Sequence, residues 1–124
     1  MYFKIGEKEY EVATSLGTSY DIEQKNKKKI TKILEDVENL TIREMCELLY
    51  IGIKRKDKDI KFEDFFDVVL DSGLTVIDLQ KEFTVFIMLL TTSDKTEVEL
   101  REMLDKAYKE NVDNLEKDIK NEKN

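Results

Sequence analysis

Cys46 is the side chain in this sequence with the greatest potential for chemistry, and it is the only cysteine. A catalytic thiolate usually needs a basic partner such as His, and the chain of 124 residues contains no His. The same absence excludes Ser-His catalysis and zinc sites that use His. A single cysteine also cannot form an internal disulfide or a four-cysteine zinc site. Because Cys46 lies in a largely apolar run, we predict a small core residue rather than a reactive thiol.

Acidic residues alternate between Asp57 and Glu63, a pattern that is typical of a calcium-binding loop. An EF-hand loop that began at Asp57 would need Gly at its sixth position and a bidentate Glu at its twelfth. Phe62 and Val68 occupy those positions. The four glycines lie too far apart to form a phosphate-binding loop. We therefore predict no metal site, no cofactor and no catalytic residue, and we expect that the protein is not an enzyme.

Net charge places a second limit on function, because 28 acidic and 21 basic side chains leave a charge of −7. This charge favours solubility and repels nucleic acid at long range. Two basic clusters, at residues 25–29 and 54–58, depart from the average composition. Neither cluster contains the interleaved aromatic residues that stack on bases. We interpret both clusters as solvated surface and expect no nucleic-acid partner.

The elements that position these residues begin with an alternating apolar pattern over residues 2–12. Phe3 and Ile5 share one face of the first run. Tyr10 and Val12 continue the alternation after a turn that contains Gly6. Two strands alone are only marginally stable, so this pattern predicts a β-hairpin that packs against a larger apolar surface.

Four threonines indicate where helices begin, because each lies three residues before a carboxylate. A hydroxyl at this spacing accepts a hydrogen bond from a free amide of the first turn, and the carboxylate can bond the amide of the threonine. These positions are Thr18, Thr41, Thr75 and Thr96. With the apolar residues three and four apart, they predict helices over residues 20–38, 42–54, 62–71 and 76–91, and a fifth from about residue 97.

Together these patterns predict a mainly α fold, in which a small N-terminal β-hairpin packs on a compact bundle of four to five helices. Residues 1–115 form a single domain, because no linker rich in Pro, Gly or Ser divides the chain. We expect residues 116–124 to form a charged tail that frays. The longest apolar run, at residues 85–90, is far too short to cross a bilayer. We therefore expect a cytoplasmic protein without a membrane partner.

Residues 85–90 contain more consecutive apolar side chains than one buried helix face can use, because successive residues of a helix point 100° apart. Val85, Met88 and Leu89 lie off the main apolar stripe of their helix, and Tyr108 on the next helix is a candidate neighbour. We predict that these four residues bind a protein partner through apolar surface left over from the core. We also expect the protein to associate with copies of itself.

The order of the elements resembles the tail assembly chaperones of long-tailed bacteriophages. Members of that family open with a short hairpin in which an apolar residue and Gly precede a polar and aromatic return, as at residues 5–12. A helical body follows, with a segment like Leu-Leu-x-x-Gly at residues 48–52 and an acidic aromatic helix that closes on Gly73. The next helix begins near a Leu-Thr pair, here residues 74–75. The resemblance covers residues 2–91.

This resemblance implies a chaperone that works without ATP in the host cell cytoplasm. It would coat the tape measure protein and help to recruit the tail tube protein. In that family a longer form often arises by ribosomal frameshifting, and this chain would correspond to the shorter form. A second interpretation stays open, namely a small acidic regulatory protein of a phage or bacterium that sequesters one specific protein partner. A reading frame just upstream of a very long coiled-coil gene would favour the chaperone over this alternative.

Overall fold

A computed structural model of the chain describes residues 1–92 and 94–122, with side chains as far as residue 111. In this part of the chain an antiparallel hairpin is followed by six α-helices and one short 3₁₀ helix. The elements are β1 (Tyr2–Ile5), β2 (Lys8–Glu11), α1 (Leu16–Asn26), α2 (Ile30–Glu35), the 3₁₀ helix (Val37–Asn39), α3 (Ile42–Lys56), α4 (Phe62–Leu70), α5 (Val76–Thr91) and α6 (Glu97–Glu122). The predicted mainly α fold with a small N-terminal hairpin is confirmed.

The hairpin packs on the helices through its buried face. Its last pair, Ile5 and Lys8, encloses a two-residue turn. Gly6 begins this turn with a φ of 60°, a conformation that costs glycine little. Phe3 is completely buried, and its ring meets that of Phe65 on α4 edge-on at a centroid distance of 6.1 Å. This contact supplies the larger apolar surface that two isolated strands lack.

The helix α3 occupies the centre of the core. It contacts α1, α4, α5 and β2, so neighbours surround it on most sides. A helix in such a position must be apolar around most of its circumference. Its core side chains are each at most 1% exposed, and they are Met45, Cys46, Leu48, Leu49 and Ile53.

The predicted starts of three helices are confirmed by their caps. The hydroxyl of Thr41 accepts a hydrogen bond from the amide of Glu44 at 3.1 Å, and the Glu44 carboxylate accepts one from the Thr41 amide at 3.1 Å. Thr75 and Asp78 form the same reciprocal pair at the start of α5. The Thr96 hydroxyl caps α6 in the same manner. These bonds satisfy amides that would otherwise have no partner within their helix.

The first predicted helix begins earlier than its capping pattern indicates. Ser15, rather than Thr18, is the N-cap of α1, because its hydroxyl accepts a hydrogen bond from the Thr18 amide at 3.4 Å. Thr18 itself is completely buried in the first turn. Asp21, the carboxylate that suggested a capping box, instead pairs with Arg55 on α3. The expected start at Thr18 was therefore wrong by one turn.

The prediction of one continuous helix over residues 20–38 is also wrong. The segment after α1 turns at Lys27, whose φ of 57° lies in the left-handed region, and α2 begins at Ile30. Ile22 on α1 and Ile33 on α2 are both buried in the same core. The turn allows two short helices to bury these side chains, so tertiary packing overrides the local helical pattern.

The helix α6 begins at Glu97, as predicted, and its backbone is helical to Glu122. It packs beside α5 and buries Leu100 completely. This helix includes most of the charged tail predicted at residues 116–124, and the fraying of that tail stays a prediction. Outside the described part lie Ser93, Lys123 and Asn124, and also the side chains of residues 112–122.

A polar network fastens α6 to both α5 and β1. The guanidinium of Arg101 lies 2.6 Å from a carboxylate oxygen of Glu82 on α5. It also donates a hydrogen bond to the carbonyl of Tyr2 at 3.0 Å. The Tyr2 amide donates in turn to Glu97 at 3.0 Å. These bonds hold the start of α6 against the hairpin edge.

Candidate protein-binding site

Cys46 cannot serve as a nucleophile in the folded protein. The side chain is completely buried on α3. Burial, together with the negative charge of Glu47, raises the pKa of the Cys46 thiol to about 12. Among the described residues, no group of three His, Cys, Asp or Glu side chains lies close enough to hold a metal ion. Cys46 therefore belongs to the core of the protein, as predicted.

We expect Cys46 to resist a maleimide in the folded protein at pH 7 and to react fully in denaturant. Because the thiol pKa is raised in the folded state, its contribution to stability is present below the ordinary thiol pKa and is lost as pH rises towards 12. Labelling is measured by mass spectrometry, and stability by denaturant unfolding between pH 8 and pH 10. Cys46→Ala is the control, because it removes this pH dependence. Rapid labelling of the folded protein would contradict the expectation.

The four residues predicted to bind a partner occupy different environments. Val85 is only 1% exposed, and it lines the interface between α5 and α6 with Leu104. Packing of α6 on α5 therefore buries Val85, which is one of the apolar side chains in the run at residues 85–90. Met88 and Leu89 are half-buried near the end of α5. Of the three predicted residues on α5, only Met88 and Leu89 therefore retain accessible apolar surface.

Tyr108 on α6 contacts α5 at Lys81. Its ring centroid is 5.8 Å from the ammonium group of Lys81. Lys81 precedes Val85 by four positions and Met88 by seven, which corresponds to about 6 Å and 10 Å along a helix axis. This contact therefore lies closer along α5 to Val85 than to Met88 or Leu89. Partner binding by any of the predicted residues stays a prediction.

An apolar groove lies at the opposite end of α5, where α3 begins, α4 ends and α5 begins. We call it the terminal groove, and it is lined by Ile42, Val69, Leu70, Leu74, Thr75, Val76 and Leu79. Its accessible volume is about 110 Å³. Leu70 and Val76 are 54% and 52% exposed, and Ile42 is 39% exposed. The edge of the groove therefore presents aliphatic side chains to solvent.

The walls of the terminal groove are fixed by the turn between α4 and α5. The Ser72 hydroxyl donates to the carbonyl of Val69 at 2.5 Å and accepts from the Leu74 amide at 3.2 Å. Hydrogen bonds from the amide and hydroxyl of Thr75 lower the pKa of Asp78, so this carboxylate stays ionised in the cap of α5. These hydrogen bonds hold the turn and the first residues of α5 in place beside the groove.

The apolar spacing in the sequence does not distinguish Ile42, Leu70 and Val76 from the buried residues of their helices, so it does not indicate this groove. Each of the three is the first or last residue of its helix. A residue at the end of a helix is covered by a helical turn in one direction only. Solvent can therefore reach an apolar side chain at that position. An apolar residue at a helix end, beside a short polar loop, is the signal that could have indicated the groove.

The helices in the described part of the chain do not fit a membrane span, because none is both long and apolar enough to cross a bilayer. In the comparisons with known proteins, no family model, no curated protein and no solved structure matches this chain. The basis for a proposed function is therefore the fold, burial and charge of the described residues.

Proposed function

We propose that this protein is a tail assembly chaperone, which binds the tape measure protein of a long-tailed bacteriophage and assists the assembly of the tail tube without catalysing a reaction. The observation that carries the proposal is the terminal groove, with Leu70 and Val76 more than half exposed at its edge. The hairpin and the helical body are the elements that the sequence resemblance implies, so they agree with this function.

A tape measure protein needs such a surface because it is a long helical chain. Its apolar stripes would aggregate before the tube forms around them. A stripe of this kind can lie in an apolar groove in the manner of an amphipathic helix. The groove offers three partly exposed aliphatic side chains for this contact, which are Ile42, Leu70 and Val76.

The strength of one such contact is small. Complete burial of an aliphatic side chain contributes about 1.5–3 kcal/mol, so half of that for three side chains is roughly 2–4 kcal/mol. This is too little for one stable complex once the cost of association is included. Many copies that bind along one elongated partner, and that also contact one another, would supply the remainder. The net charge of −7 would keep such an assembly soluble.

The test is co-expression with a candidate tape measure protein, and the measurement is the soluble fraction of that protein. We expect the wild type to keep the partner soluble and Val76→Glu to lose most of this effect. Ile77→Glu is the matched control, because Ile77 is 49% exposed and lies next to Val76 but does not line the groove. Both changes place an acid in the first turn of α5, where the helix dipole favours it.

The outcomes separate the groove from other surfaces. Equal loss in the two variants would show that the groove has no special role. Met88→Asp and Leu89→Asp, if they remain folded by circular dichroism, test the predicted surface at the other end of α5. A wild type that never keeps the partner soluble would contradict the chaperone function. Light scattering gives the stoichiometry, and a one-to-one complex with a single compact partner would favour the regulatory interpretation.

A further inference from the structure

A second concave surface lies between α1 and α3, and we call it the α1–α3 cleft. It has an accessible volume of about 520 Å³ and is lined by Asp21, Tyr50, Ile51, Lys54, Arg55 and Lys58. The residues from α3 recur three and four positions apart, so they share one face of that helix. The aromatic and aliphatic side chains are half-buried, and the cations beyond them are exposed. The cleft therefore has an apolar floor and a basic edge.

The floor of the cleft is held in place before any ligand binds. The Tyr50 hydroxyl donates a hydrogen bond to the carbonyl of Ile60 at 2.7 Å. The Tyr50 ring also contacts Phe62 edge-on, with centroids 5.4 Å apart. Ile51 packs against the buried core. Binding of a partner would therefore cost little conformational entropy at Tyr50 and Ile51.

The edge of the cleft carries surplus positive charge. Arg55 is neutralised by Asp21, whose carboxylate lies 2.8 Å from its guanidinium nitrogen. The Lys54 ammonium lies 5.9 Å from the centroid of the Tyr50 ring. In the described part of the chain, neither Lys54 nor Lys58 forms an ion pair with a carboxylate. Two unneutralised cations therefore stand beside an apolar floor in a protein of net charge −7.

We propose that the α1–α3 cleft binds an acidic peptide segment of another protein, and that this segment carries one aromatic or aliphatic anchor. The anchor packs on Tyr50 and Ile51, while flanking carboxylates pair with Lys54 and Lys58. The acidic remainder of the protein repels such a segment, so charge directs it to the cleft. This site goes beyond the chaperone function, because it uses neither the terminal groove nor an apolar helix stripe.

Nucleic acid fits the cleft less well than an acidic peptide. Tyr50 is the only aromatic side chain among the lining residues, whereas single-stranded nucleic acid usually stacks several bases in succession. The overall charge of −7 also opposes the long phosphate backbone, which extends beyond any one basic edge. A short segment with a few carboxylates can bind within the cleft without extending onto the acidic surface around it.

The experiment measures fluorescence anisotropy of a labelled heptapeptide, Gly-Glu-Glu-Phe-Glu-Glu-Gly, against the whole wild-type chain in low salt. We expect saturable binding that weakens as salt is added, because exposed charges are screened. The double variant Lys54→Glu/Lys58→Glu should bind about tenfold more weakly or not at all, since two attractive contacts become repulsive. Its matched control is Lys28→Glu/Lys29→Glu, which changes the net charge equally at the other basic cluster and should bind like the wild type.

Each remaining outcome decides against the proposal. No saturable binding to the wild type would overturn it. An equal loss of peptide affinity in the two double variants would show that the effect comes from net charge alone. Equal affinity for a peptide with Ser in place of Phe would show that Tyr50 and Ile51 do not bind an apolar anchor. Tighter binding of an oligouridine, with displacement of the peptide, would assign the cleft to nucleic acid instead. Circular dichroism on both double variants verifies that they are folded.

Discussion

Leu49→Ala is expected to lower the free energy of unfolding by about 2–5 kcal/mol, the range for buried Leu truncations. Leu49 is completely buried on the central helix α3, within the main core cluster. The change removes apolar contacts and leaves a cavity that the surrounding helices can fill only in part. Denaturant unfolding followed by circular dichroism measures the effect.

Lys28→Ala is the control for this prediction. Lys28 is exposed in the turn between α1 and α2, so its removal should change the free energy of unfolding by no more than about 0.5 kcal/mol. Equally small effects for the two substitutions would mean that the core does not centre on α3.

Gly52→Ala is expected to lower the free energy of unfolding by about 1–3 kcal/mol, although alanine is the better helix former. A Cβ atom at Gly52 would lie 2.6 Å from a methyl carbon of Val12 and 2.9 Å from the carbonyl oxygen of Ala13. The segment between β2 and α1 crosses α3 here, and the Ala13 amide donates to the Gly52 carbonyl at 2.9 Å. Backbone atoms cannot move aside without breaking this hydrogen bond. Denaturant unfolding again provides the measurement.

The matched substitution Gly17→Ala should behave differently, although Gly17 also lies in a helix. The three atoms nearest to a Cβ atom there all belong to the guanidinium group of Arg55, at 2.5–2.7 Å. That group is the end of a flexible side chain, and its ion pair with Asp21 is 41% exposed on each side. The loss of such a pair is small. A stability within about 0.5 kcal/mol of the wild type is therefore expected, and equal losses at both glycines would contradict the close approach at Gly52.

Local sequence patterns predicted those parts of the fold that local interactions determine. The reciprocal caps at Thr41 and Thr75 span only four residues each, so the starts of α3 and α5 could be recognised from the sequence. The alternation over β1 and β2 similarly predicted the hairpin. The turn at Lys27 could not be predicted, because neither Pro nor Gly marks it and its cause lies in the packing of distant helices.

The candidate binding surfaces were less predictable, because exposure depends on which neighbour covers each face. Nothing in residues 85–90 indicates that α6 buries Val85. The basic cluster at residues 54–58 was correctly expected to be exposed. Its position beside Tyr50 and Ile51 follows from helical spacing, and a search at four-residue intervals could have found it. The exposure of single residues of the terminal groove could have been inferred from their places at helix ends, but the grouping of three helix ends follows only from the tertiary structure.

The bond between Arg101 and the Tyr2 carbonyl joins residues that are 99 positions apart. A ribosome adds about 5–20 residues each second, so some 5–20 seconds separate the synthesis of these two partners. Until Arg101 emerges, the first strand lacks the contacts that fasten its outer edge to the last helix. Closure of so long a loop also costs entropy that earlier contacts must offset. β1 is synthesised well before α6, yet it acquires these contacts only after Arg101 has emerged, so folding at this edge waits for the synthesis of a distant helix.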